Sequence, residues 1–520
     1  MTDYDVLLVG GGHNGLVCAA YLARAGKKVL VLEANEPLGG AAASREFAPG
    51  YTVSSCAHWL THLSPVVSKD LDLERHGLQL AARDLDSIGL APDGQHVTVT
   101  GNTVQGAGLS PEDMQAYTEF HRKTIKFSKL LAKAFAVRPP KLVESNFTDR
   151  VNLLKLGLGM KMLGREDMSD LLRLALINMY DVMEENFDNE TLKALLSFDG
   201  VLGAHMGPRS PNTVFGYLYR RVGDVHGYNG PAVVKGGMGA LGTAVADAAR
   251  AAGVEIRTGS PVEKINLQDS RAVGVTLVGG EVIAAPLVVS NADPVTTFEK
   301  LVGYRNIETG MVRRVSQIRM RSGVAKLHLA LDGLPQFKGL DNTQLGQRLV
   351  IAPSMDYIER AFNSAKYGES SALPALDISI ASVHDSSLAP AGKHVMSVIV
   401  QFAPYDLREG WESHKEQFTQ RVIDTISAYA PGFSSQVVAS ELLTPVDLER
   451  EFHMKGGHWH HGEISLDQVM MMRPFPGATQ YGTAVDGLYL CGAGSHPGGG
   501  VMGLAGRNAA QEIIKRGAQA

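Results

Sequence analysis

The chain opens on a pattern that leaves it few folds to choose from. Residues 4–33, YDVLLVGGGHNGLVCAAYLARAGKKVLVLE, read as an apolar strand, a glycine turn, a helix and a second apolar strand ending in an acid. That succession is a βαβ unit, and parallel strands joined by a crossover helix need helices on the faces of their sheet. Gly10, Gly12 and Gly15 fit G-x-G-x-x-G. The first glycine of that motif permits a tight turn, the second lets backbone approach a pyrophosphate, and the third lets helix pack on strand. The helix N-terminus then faces the phosphates. Glu33 stands 18 residues after Gly15, where a carboxylate can accept hydrogen bonds from ribose hydroxyls. Near the other end, LYLCGAGSHPGGGVMGLAGRNAAQEIIK (488–515) supplies a further strand, a glycine-rich turn and a closing helix. Together the two ends predict one site, for bound FAD.

Composition narrows the class. With 520 residues, 44% of them hydrophobic and 20% charged, the chain can bury the cores of two or three domains. A net charge of −5 and the lack of a basic tract argue against nucleic acid. No signal-like segment precedes the first strand, and no run reaches the roughly 18 apolar residues of a spanning helix. The expectation is a cytoplasmic protein, with peripheral membrane contact left open. Cys18, Cys56 and Cys491 form no C-x-x-C pair, so a disulfide relay is unsupported. Cys18 and Cys491 are expected as small buried packing residues, with a flavin thioether at Cys491 the alternative. Four histidines fall within residues 453–461, but no cysteine or carboxylate set completes a metal-ligand pattern, and no metal is predicted.

Residues 232–293 read as helix and strands returning to the first domain. Gly237, Gly239 and Gly242 again fit G-x-G-x-x-G, yet only a short VV precedes them and no acid ends the following strand. Close helix packing, rather than a nicotinamide site, is the expectation. Residues 110–225 carry helical periodicity. Within them, residues 151–185 interleave Lys155, Lys161, Arg165 and Arg173 with Leu and Met. That stretch suits either a cap helix packed on its own core or a surface resting on lipid. VAKLHLALD (324–332) and VMSVIVQFA (395–403) read as strands. The predicted fold is α/β, α+β overall: a Rossmann-type FAD domain and a discontinuous substrate domain of mixed sheet plus helices. The FAD domain is assigned residues 1–75, 226–300 and 455–520, and the substrate domain with its helical cap 76–225 and 301–454.

LGGAAASR (38–45) resembles the second glycine doublet of flavin amine oxidases and phytoene desaturases, and HPGGGVMG (496–503) is similar to the desaturases' C-terminal flavin-ring motif. GHWHHGEISLDQ (457–468), RPFPG (473–477) and GLYLCGAGSHPGGGVMGLAGRNAA (487–510) resemble one subgroup of the phytoene desaturase-like oxidoreductases, labelled pyridine nucleotide-disulphide oxidoreductase domain-containing protein 2. The label does not fit literally, since neither thiol pair nor NAD domain is evident.

The resemblance implies where FAD would lie. Gly10, Gly12, Asn14 and Gly15 would line the pyrophosphate with His13 beside them, Glu33 and Ala34 the ribose, and Gly39, Gly40 and Ala41 the ribityl side. Val262 would meet adenine, Gly492 the last phosphate or ribityl contacts, and Gly500, Val501 and Met502 the pyrimidine side of the ring. Reduced flavin is anionic there, and the positive end of a helix starting near Val501 would stabilise it.

For catalysis, the resemblance to flavin amine oxidases maps onto Lys326 a lysine that holds water over the flavin; a solvent-edge lysine is the competing reading. His58 and His461 are candidate bases or hydrogen-bonded core histidines. The implied activity is FAD-dependent oxidation of a hydrophobic substrate, carbon–carbon desaturation first, with oxygen or a quinone reoxidising the flavin. Amine oxidation is the alternative, and a non-catalytic flavin-containing lipid- or partner-binding protein is the alternative of another class.

Overall fold

A computed structural model describes residues 3–143 and 145–517. Its first sheet is parallel, with strands in the order Glu255–Arg257, Val29–Leu32, Val6–Val9, Leu287–Ser290 and Leu488–Leu490. The period of two along a strand divides the side chains of the first two chain strands between two cores. Val6, Leu8, Val29 and Val31 join the core formed with the helices His13–Arg24, Gly239–Ala251 and Leu504–Gly517. Leu7, Val9, Leu30 and Leu32 join the opposite core, against the antiparallel sheet of Val262–Gln268, Arg271–Leu277 and Val282–Ala284. Both faces are covered, so all four positions of each strand are apolar and buried.

Small residues set the close helix contacts. A Cβ on Gly506 would stand 2.0 Å from the Asn14 carbonyl oxygen, so the last helix lies directly on the first. Cys18, Cys56 and Cys491 are free and buried. The second glycine triplet also works by packing: a Cβ on Gly242 would lie 2.9 Å from Gly39 Cα, and Gly239 donates its N–H to Ser44 Oγ at 2.8 Å.

The second sheet has eight strands, in the order Val437–Leu443, Val324–Leu331, His394–Gln401, Ala375–Ser379, Arg348–Ile351, Ser87–Gly89, Val97–Thr100 and Thr103–Gly106. The strands expected near 324–332 and 395–403 are paired antiparallel at its heart. Phe418, Val422 and Ile426 of the helix Trp411–Tyr429 pack on one face.

Six helices from Pro111–Phe135 to Thr213–Arg220 make the cap, several started by side-chain caps. Ser110 accepts the Asp113 N–H, Asn178 that of Asp181 and Asn189 that of Leu192, while Asn146 and Asp149 cap each other reciprocally. The helix Phe147–Met162 fully buries only Asp149, and Leu154, Leu158 and Met162 are exposed to 72%, 53% and 77%. An ordinary cap helix would bury an apolar stripe; this one presents Leu and Met outward with Lys155 and Lys161. Among the described residues no helix is long and apolar enough to cross a membrane.

The final helix begins at Leu504, not near Val501 as expected. Gly500, Val501 and Gly503 have φ of +108°, +59° and +75°, left-handed conformations that cannot continue a right-handed helix.

Candidate active site

A cleft of about 350 Å³ opens where the parallel strands end at their carboxyl side, the usual ligand position in such sheets. Gly10 takes φ +97° to leave its strand, and a Cβ on Gly15 would stand 2.4 Å from the Gly10 carbonyl oxygen. Gly39 donates to the Gly11 carbonyl at 2.9 Å, and Gly12 and Gly39 form a bridge. The two glycine segments thus lie side by side, forming a floor almost free of side chains. Glu33 Oε2 accepts the Gly11 N–H at 2.5 Å and Oε1 that of Asn35 at 2.8 Å, which fixes the carboxylate at the cleft.

Gly10, Gly12, His13, Asn14, Glu33, Ala34, Gly39, Gly40, Ala41, Val262 and His461 line this cleft. Gly15 supports it from beneath, through its contact with Gly10. Gly492 and Met502 are not among the residues that line this cleft. A Cβ on Gly492 would fall 2.3 Å from the Asn291 carbonyl oxygen, so Gly492 serves strand approach, and Met502 is buried with its carbonyl taking the Ser64 N–H.

The cleft fits an FAD molecule on its own evidence. Its glycine floor leaves room for a pyrophosphate, an acid, Glu33, stands on its wall, and buried polar atoms at His13 Nε2, Asn14 Oδ1 and His461 Nδ1 have no protein partner. Burial lowers the imidazoles of His13 and His461 to about 4, leaving both neutral near pH 7.

A second chamber, of about 130 Å³, adjoins the cleft and shares His13, Ala41, Trp459 and Ala493 with it. Cys56, His58, Trp59, His62, Tyr219, Gly500 and Val501 stand on its wall. The loop 458–464, which lines both cavities, is tied down by Arg473. This fully buried guanidinium donates to the carbonyls of His460, Gly462, Glu463, Gln468 and Ala493, and burial lowers it to about 10.

Behind the chamber runs a buried polar chain. His58 Nε2 lies 3.4 Å from Asp377 Oδ1, which also accepts the Trp59 indole N–H at 2.9 Å. Arg348 joins Asp377 and Asp199, at 2.8 Å each. Burial alone would raise the Asp377 carboxyl, but the Arg348 guanidinium holds it well below the usual carboxylate range. Burial, with Lys326 nearby, lowers His58 to about 4. Burial also lowers Arg220, at the chamber wall, without removing a charge whose ordinary range starts above 12.

Lys326 lies on an interior strand, between Val437–Leu443 and His394–Gln401, and not at a solvent edge. It is fully buried, its Nζ has no hydrogen-bond partner, and burial lowers its ammonium to about 7. Lys326 itself does not line either cavity; Cys56 and Asp377 are the charged or ionisable groups acting on it. Of the three catalytic candidates, then, His58 faces the inner chamber, His461 the cofactor cleft, and Lys326 the wall behind. The sequence reading missed Asn291, Lys300, Lys455 and Trp459 on the cleft wall, and Arg220, Asp199, Arg348 and Asp377 at the chamber. Trp459 lies within GHWHHGEISLDQ, a segment singled out for its resemblance and not for this residue; no motif surrounds the others.

Residues 15–514 match the model of the family described as flavin containing amine oxidoreductase. The chain belongs to this family. It is 36% identical to the mouse (Mus musculus) pyridine nucleotide-disulfide oxidoreductase domain-containing protein 2, over 99% of this chain and 94% of that one. A limonene dehydrogenase subunit from Castellaniella defragrans is 27% identical over 98% and 94%, and the neurosporene-forming phytoene desaturase of Cereibacter sphaeroides 25% over 97% and 93%. Wild-type putrescine oxidase bound to putrescine superposes with a TM-score of 0.61 at 15% identity, covering 99% of both chains, which identifies a common fold. The chain is accordingly an FAD-dependent oxidoreductase of the amine oxidase and phytoene desaturase superfamily, as the glycine motifs implied.

Proposed function

We propose that the protein oxidises a hydrophobic substrate by carbon–carbon desaturation, in the inner chamber beside the cofactor. The observation that carries this reading is the chamber itself: it is mostly apolar, and shares its wall with the FAD cleft. Limonene and phytoene, named by two relatives, are hydrocarbons. FAD supplies the acceptor for the hydride when bound, with oxygen or a quinone restoring it. The protein's part is to hold the substrate, exclude water and take up the accompanying proton. His58 suits that last role: it is neutral near pH 7, faces the chamber, and has Asp377 at 3.4 Å to stabilise the imidazolium that forms. His461, on the cofactor side, suits a contact to FAD.

Amine oxidation is the second reading, favoured by Lys326, whose unpartnered buried Nζ is unusual enough to suggest a role in the chemistry. Lipid contact through Phe147–Met162 is proposed from its exposed Leu and Met side chains and neighbouring lysines.

Mixing the holoprotein anaerobically with polyenes, fatty acyl compounds and amines, and following the flavin absorbance, tests these readings. Bleaching by desaturable apolar compounds and not by amines is the expected result. Bleaching by amines alone would overturn it, and no bleaching of a chemically reducible flavin would favour a non-catalytic role.

A further inference from the structure

The inner chamber carries a cation that the protein leaves without a close partner. Arg220 ends the helix Thr213–Arg220 and stands on the chamber wall. Its neighbouring acid is already paired: Asp199 Oδ1 lies 2.8 Å from Arg348 Nη1 in an ion pair, and Oδ2 accepts a hydrogen bond from Arg221 Nη2 at 3.0 Å. Arg220 reaches Asp199 only through Nε, at 3.7 Å, and its guanidinium makes no hydrogen bond among the described residues. The other acid on the wall, Glu463, accepts the His205 N–H at 2.9 Å and lies 3.9 Å from His458.

We propose that Arg220 anchors the carboxylate head of a substrate whose apolar remainder fills the chamber toward Trp459 and Val501. A guanidinium offers a planar fork of donors that matches a carboxylate's two oxygens, and in a water-poor chamber such a charge-assisted pair is strong. The same arrangement opposes a free ammonium, which would find both wall acids engaged and Arg220 repelling it. The proposal rests on the reading of this chamber as the substrate site, and it separates the protein's substrate from a plain hydrocarbon.

The test is a titration of the holoprotein with decanoate, decanol and decylamine, read by the perturbation of the flavin spectrum. Decanoate should bind about tenfold or more tightly than decanol, and decylamine more weakly than either. Arg220→Gln should bring decanoate and decanol to within about twofold, while Arg220→Lys keeps part of the preference because it retains charge but not the fork. Flavin content and thermal midpoint show that each variant is folded; should Arg220→Gln not fold, the wild-type comparison of the three ligands decides alone. Equal binding of decanoate and decanol, or an undiminished preference in Arg220→Gln, overturns the anchor and leaves the chamber reading standing. If no ligand perturbs a bound, reducible flavin, the chamber reading fails and the anchor with it.

Discussion

Lys326 is a residue whose burial costs stability. Its ammonium titrates near 7 in the folded protein, against about 10.4 in an unfolded chain. Between those values the unfolded chain holds a proton that the folded one has shed, so this residue's contribution to stability rises with pH across that window and is least favourable below it. Lys326→Met should therefore stabilise the protein near pH 7 by roughly 1–2 kcal/mol. The gain over wild type should shrink as pH approaches about 10, in thermal melts across that range. If the residue serves the chemistry, the same variant should reduce its flavin ~100-fold more slowly while retaining it. A variant neither more stable nor slower would remove Lys326 from both accounts. At this scale the sequence was legible where backbone geometry demands one residue type. Gly10, Gly15 and Glu33 announce themselves because few other residues fit their positions. Arg220, Asp199, Arg348 and Asp377 did not, since each is unremarkable locally and gains meaning only when the 177 residues between Asp199 and Asp377 are folded back.

Among the elements, the helix Gly239–Ala251 has an effect beyond its own packing. Its Gly242 supports Gly39 of the cofactor floor, a Cβ there standing 2.9 Å from Gly39 Cα. Backbone cannot yield as a flexible side chain does, so Gly242→Ala should displace the floor and weaken FAD binding about tenfold or more, a loss of roughly 1.4 kcal/mol. Flavin fluorescence titration against the deflavinated protein reads it. Unchanged affinity would mean that the floor adapts. The motif at 237–242 was correctly legible as packing from its missing acid, but its partner was not, because spacing says nothing of what a helix face meets. The start of the final helix was misplaced for a related reason: the left-handed positions ahead of it, Gly500, Val501 and Gly503, include a β-branched residue that sequence rules would not put there. Such strain persists where surrounding structure enforces it, and here it falls on the chamber wall.

For the whole molecule, helical content in the cap was readable from periodicity, whereas which way its side chains point was not. With Leu154, Leu158 and Met162 outward, the protein should float with vesicles containing anionic lipid, and less with neutral ones. Leu154→Glu with Leu158→Glu should cut that partition about tenfold, leaving flavin content unchanged. Flotation unaffected by the pair would place lipid contact elsewhere or nowhere. The cofactor cleft itself draws on residues 9–41, 261–301 and 449–493, and the strand Leu488–Leu490 completes the sheet against Leu287–Ser290. During synthesis, then, the pocket's first wall leaves the ribosome long before its last. A nascent chain cannot complete this cleft until residues 449–493 have been made, so capture of FAD reports that translation has passed that segment.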